Sequence, residues 1–97
     1  MDGVHDKESD LVRVYRALGD LTRLRMVRLL LARGEMGCAE LAEALNLSRP
    51  TLSYHTRMLQ LCRLVDVRRE GAYHYYRLRL DTLQRFAPEV ARLDPLQ

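Results

Sequence analysis

The stretch "CAELAEALNLSRPTLSYHTRMLQLC", residues 38–62, carries two apolar stripes at helical spacing with only about three residues between them. Cys38, Leu41, Ala42 and Leu45 fall at i, i+3, i+4 and i+7, the spacing of one helix face. Asn46 is a good helix terminator because it tolerates a left-handed backbone. Ser48 then caps the next helix, and Pro50 fits its first turn, where no N–H is needed. Leu52, His55, Leu59 and Cys62, helped by Met58, form the inner stripe of that helix. Two helices joined by so short a turn make a helix-turn-helix. The second helix then has a free outer face, which carries Arg49, Ser53, Tyr54 and Arg57.

The rest of the chain extends this unit. From Ser9, Leu11, Val14, Tyr15 and Leu18 make one stripe, and Gly19 stops that helix. Asp20 or Thr22 can cap the next, whose buried face is expected at Leu21, Leu24, Val27, Leu30 and Leu31, with Arg23, Arg25 and Arg28 on the surface. Gly34 ends it. After the helix-turn-helix the period changes from helical to two. "LVDVRREGAYHYYRLRL", residues 64–80, is rich in Val and Tyr, and Gly71 supplies the positive φ of a hairpin turn. Residues 81–93 return to helix through Leu83, Phe86, Val90 and Leu93, with Pro88 forcing a kink or a fresh start. The expected fold is mainly α with a small β-hairpin, in the order α-α-α-α-β-β-α: a winged helix-turn-helix. Residues 1–8 read as a flexible tail and residues 9–97 as a single domain.

Composition narrows the function. A chain of 97 residues is one domain with a modest core, so help from a second subunit is expected. Two cysteines are too few for a disulfide framework, and the polar start MDGVHDKESD contains no signal or membrane-spanning segment, so a reduced cytoplasmic setting is expected. No Ser/His/Asp trio, carboxylate pair or Gly-rich phosphate loop points to an enzyme, and no cofactor is implied. Charge is unevenly spread. Residues 48–79 hold seven Arg against Asp66 and Glu70, while the segments on either side are slightly acidic. A basic middle third is the footprint of a nucleic-acid surface, although charge alone equally suits a solvated basic face.

The helix-turn-helix decides between these in favour of double-stranded DNA. Such a motif reads base edges with the N-terminal residues of its second helix. Arg49 can sit bidentate on a guanine edge. The hydroxyls of Thr51 and Ser53, with the helix N-terminus, can hold phosphates. Tyr54 can meet a thymine methyl or a phosphate, and Arg57 a phosphate. At the hairpin, Arg68 and Arg69 can enter a minor groove or clasp the backbone.

Residues 17–78 resemble the ArsR/SmtB family of small bacterial repressors. The resemblance lies in "LGDLTRLRMV" (Leu18 to Val27), "LAEALNLSRPTLSYHTRML" (Leu41 to Leu59) and the wing "REGAYHYYRL" (Arg69 to Leu78). It implies a homodimer joined by helices at both ends of the chain, an inverted-repeat operator, and repression relieved by an effector. The positions matching the family's DNA-reading helix are Ser48, Arg49, Thr51, Ser53, Tyr54, His55 and Arg57. Arg49 stands where Gln is common and Tyr54 where His is common, so the operator sequence does not carry over. Many members sense thiophilic metals through "ELCVCDL"; here the stretch is "EMGCAEL", with Gly37 and Ala39 at the two cysteine positions. The last helix holds no His or Cys, so neither of the family's usual metal sites is present and the effector is unknown.

Two alternatives stay open. Cys38 and Cys62, which read first as small core residues, are candidates for a thiol-based redox or arsenic sensor. The winged helix can also be a protein-interaction module whose arginines meet an acidic partner.

Overall fold

A computed structural model describes residues 7–94. The elements are α1 (Lys7–Leu18), α2 (Leu21–Arg33), β1 (Met36–Gly37), α3 (Cys38–Leu45), α4 (Arg49–Leu61), β2 (Val65–Glu70), β3 (Tyr73–Leu78), α5 (Leu80–Phe86) and a closing 3-10 helix (Pro88–Arg92). Helix α1 begins at Lys7, two residues ahead of the expected Ser9. The remainder of the expected tail, residues 1–6, lies outside the described residues.

Helix ends follow local chemistry. Asp20 caps α2, its Oδ2 accepting from the Arg23 N–H at 3.0 Å. Gly34 closes α2 with φ 79, and its N–H donates to the Leu30 carbonyl. Asn46 takes the left-handed conformation (φ 54) that ends α3, and the Leu47 N–H reaches back to the Ala42 carbonyl at 2.9 Å. The α4 end uses the same device without glycine or asparagine. Arg63 sits at φ 64 while the Leu64 N–H bonds the Leu59 carbonyl. Ala87 breaks the last helical stretch, and Pro88 opens the separate 3-10 turn, the fresh start its missing N–H predicts.

The hairpin pairs Val65 with Leu78 through Glu70 with Tyr73, around Gly71 at φ 61. The sheet has a third strand absent from the sequence reading. β1 pairs antiparallel with β3, Met36 opposite Tyr76, giving the order β1-β3-β2. Two residues are too few to show a period, so β1 leaves no trace in the pattern.

One core unites the elements. Met26, Leu30, Leu41, Leu52, Leu59, Leu64 and Leu83 are fully buried, and Thr56 joins them from α4. The α2 face differs from expectation. Arg23, expected on the surface, is buried, and Leu21, expected inside, is 63% exposed. The true inner stripe is Arg23, Met26, Val27 and Leu30, itself an i, i+3, i+4, i+7 set. Tyr15 of α1 and Leu93, also expected inside, are about half exposed. Among the described residues no helix is long and apolar enough to cross a membrane.

Candidate nucleic-acid interface

Helix α4 divides into two faces. Leu52, Thr56 and Leu59 are buried, while Arg49, Thr51, Ser53, Tyr54 and Arg57 are exposed. Ser48 forms the cap: its Oγ accepts the Thr51 N–H at 3.3 Å and its hydroxyl donates to Thr51 Oγ1 at 2.9 Å. That arrangement fixes the first turn and leaves the Thr51 hydroxyl proton available to an outside acceptor. No acidic side chain occupies this turn, so nothing there opposes an incoming anion at the positive end of the helix. Arg49 shares a cleft of about 420 Å³ with Tyr73, His74 and Tyr75 of β3. The start of α4 and the wing therefore adjoin on one surface.

The His55 side chain is largely buried, 12% exposed. Its Nδ1 lies 3.2 Å from Arg23 Nη1 and 3.9 Å from Asp20 Oδ2. A guanidinium only donates, so His55 Nδ1 is the acceptor and the proton of the neutral ring belongs on Nε2. Arg23 also donates from Nε to the Ala17 carbonyl at 2.7 Å. The Asp20 carboxyl sits below its ordinary range, chiefly because the Arg23 N–H bonds it. His55 is thus held as a strut between α4 and the α1–α2 corner, and its ring packs edge-on to Tyr54 at 5.2 Å.

The two wing arginines are placed differently. Arg68 lies within β2 rather than at the turn. Its Nε and Nη2 donate to Glu35 at 3.1 and 2.8 Å, and its Nη1 is 3.3 Å from Glu70. Its guanidinium also stacks 4.5 Å over the Tyr75 ring. The hydrogen bond from Arg68 holds the exposed Glu35 carboxyl below its ordinary value of 4.5. Arg69 is exposed, opposite His74, one residue nearer the tip.

Cys38 and Cys62 are both free and half-buried, and they line separate clefts. Cys38 faces the Arg49 cleft. Cys62 ends α4, its Sγ–H donating to the Leu59 carbonyl at 3.5 Å, and burial pushes its thiol up. A raised thiol pKa suppresses the thiolate that redox chemistry requires. Among the described residues no cluster of three or more His, Cys, Asp or Glu could hold a metal.

Sequence reasoning missed Arg23, Glu35 and Tyr75 as positioning residues, whereas Asp20 was expected as a cap of α2 and is one. Arg23 was detectable, because it shares the helical register of Met26, Val27 and Leu30. Glu35 with Arg68 was not, since 33 residues separate them.

Residues 20–67 match the sequence profile described as "Bacterial regulatory protein, arsR family". The uncharacterized HTH-type transcriptional regulator YceK of Bacillus subtilis (strain 168) is 35% identical over 86 residues, covering 84% of this chain and 86% of that one. The chain belongs to the ArsR family. The transcriptional repressor SdpR of Bacillus subtilis (strain 168) is 34% identical over 71 residues, 73% of this chain and 78% of SdpR. The ArsR-family fold is matched by the solution structure of Mb0332 (fragment 1-100) from Mycobacterium bovis. That protein is described as a homodimeric winged helix-turn-helix DNA-binding domain and a possible ArsR-family regulator. The likeness has a TM-score of 0.75 at 32% identity, covering 95% of this chain and 89% of that one. The present chain is an ArsR-family transcriptional regulator with the family's winged helix-turn-helix fold.

Proposed function

We propose that this regulator is a homodimeric repressor that binds an inverted-repeat DNA operator and is released by an effector. The observation that carries the reading is the outer face of α4, where Arg49, Ser53, Tyr54 and Arg57 are exposed and Arg49 shares a cleft with the wing strand β3. Arg49 is the direct base reader, Ser48, Thr51, Ser53 and Arg57 are phosphate contacts, and Tyr54 meets a thymine methyl or a phosphate. His55 acts through the pose of α4. Arg69 serves the wing, and Arg68 joins it on release from Glu35.

Dimerisation is supported by α1. Its outer side exposes Val12 and Tyr15, 44% and 47% accessible, more apolar surface than a helix facing only water needs. Leu93 at the other end of the domain is similarly bare. Two α4 helices in such a dimer would enter successive major grooves about 34 Å apart. Repression by SdpR and the dimer of Mb0332 accord with this assignment. A DNA-reading role carries a cytoplasmic location with it.

The test is selection of fragments of the source genome by the purified protein, reduced and without added metal. Enrichment of an inverted repeat with half-sites one helical turn apart is expected, with affinity falling steeply as salt rises because Arg–phosphate contacts release counterions. No enrichment, or a flat salt response, would transfer the basic face to a protein partner.

A further inference from the structure

The end of α4 opposite the DNA-reading turn opens on a cleft that the DNA reading does not use. It has a volume of about 310 Å³ and lies between α1, the α4 terminus and α5. Cys62 follows Arg49 by 13 residues, so at 1.5 Å per residue the two ends of α4 are roughly 20 Å apart. Cations dominate the lining. Arg79 is occupied by Asp81, with bonds of 3.0 and 3.3 Å, and by Asp66. Lys7, Arg13, Arg63 and Arg85 make no ion pair among the described residues. Asp10 is the remaining carboxylate of the lining, so the cleft carries a net positive charge. Between the cations the wall is apolar: Leu61, Cys62 and Phe86, with the Arg85 guanidinium 5.3 Å over the Phe86 ring.

Arg63 adds an independent observation. It occupies the left-handed position after α4, where its neighbour Leu64 completes a six-to-one hydrogen bond to Leu59. Glycine meets that backbone demand without strain, and an arginine pays for its Cβ there. A strained residue whose side chain lines a cleft is a signal of use rather than of folding.

We propose that this cleft binds a small organic anion, a phosphate monoester or carboxylate with a short apolar body. The head group is taken by the guanidinium groups of Arg13 and Arg63, and the body packs on Leu61 and Phe86. Arginine suits such a head group because its planar fork matches two oxygens at once. The cleft is walled by α1, α5 and the last turn of α4, so a ligand there is placed to alter the pose of α4. That coupling rests on the DNA-binding reading, whereas occupancy of the cleft does not.

The experiment is an amide-shift titration of the full chain by NMR, without DNA, at constant ionic strength. The probes are phenyl phosphate, benzoate and inorganic phosphate. Saturable shifts around Arg63, Thr82 and Phe86 are expected, with inorganic phosphate weaker than the better aromatic probe, whose identity names the head group. Arg63→Gly and Arg13→Gln should each weaken that probe about tenfold, the loss of one charge-assisted contact. Arg63→Gly should at the same time raise the melting temperature, because it relieves the backbone. That opposite sign separates lost binding from lost folding. Shifts confined to the start of α4 and the wing, no saturation, or unchanged binding in both variants would overturn the proposal.

Discussion

Arg23 Nη1 donates to His55 Nδ1 across 3.2 Å, joining a buried guanidinium of α2 to the middle of the DNA-reading helix. The same guanidinium holds the Ala17 carbonyl at 2.7 Å, and Arg16 contributes a further carbonyl at 3.5 Å. These carbonyls belong to the last turn of α1, where no intrahelical donor remains. One side chain therefore closes α1 and fixes the seat of α4. Arg23→Met keeps the bulk but leaves acceptors on both sides without a donor. It should cost about 2–3 kcal/mol, as expected for bonds from a charged donor. In a domain of this size that lowers the melting temperature by roughly ten degrees. Thermal unfolding at fixed protein concentration checks this, and a change within experimental error would reduce Arg23 to a space-filler.

The pairing of Arg68 with Glu35 anchors the wing strand β2 to the turn before β1. The Arg68 bond depresses the Glu35 carboxyl below 4.5, so its contribution to stability is present above that pH and is lost as pH falls through the depressed value. The wild type should therefore lose its advantage over Glu35→Gln as pH is lowered from 6 towards 3. Asp20 and Asp81 are depressed in both proteins and cancel in the difference. A gap in melting temperature that stays constant over this range would mean that Glu35 contributes no charge interaction.

On the outer face, Arg49→Ala should weaken operator binding by about 1–3 kcal/mol and relax preference at one base pair, the signature of a bidentate guanine contact. Binding to a panel of single-base operator variants measures both effects. Uniform weakening across the panel would reassign Arg49 to a phosphate.

Tyr15→Glu places a charge on the exposed stripe of α1 that is expected to pack against a second copy. Sedimentation should show the mass halving from dimer to monomer, with operator affinity falling as the paired half-sites are lost. Circular dichroism should keep its helical shape at low temperature, because Tyr15 lies outside the protomer core. An unchanged dimer would move the interface elsewhere.

Much of the fold is written locally in the chain. Asp20, Gly34, Asn46, Ser48, Gly71 and Pro88 all act where the sequence predicts, because a cap, a left-handed terminus or a missing N–H is decided by a residue and its nearest neighbours. The helical stripes of α3 and α4 and the alternating hairpin follow for the same reason, since burial of one face needs only the right period. The outer face of α4 was legible too: Arg49, Thr51, Ser53, Tyr54 and Arg57 are exposed as the helix register requires.

Only the tertiary structure decided what long-range contact decides. Arg23 turned inward because the end of α1 and His55 offer it acceptors that lie six and 32 residues away. Leu21, Tyr15 and Leu93 turned outward because apolar character says that a side chain seeks cover, not whether that cover lies within one protomer. Arg68 was drawn to Glu35, and β1 formed only because β3 was there to pair with it. A periodic pattern fixes which face of an element is buried to within a residue or so. Which polar groups meet beneath that face depends on how the elements cross, and that geometry exists only once the chain has packed.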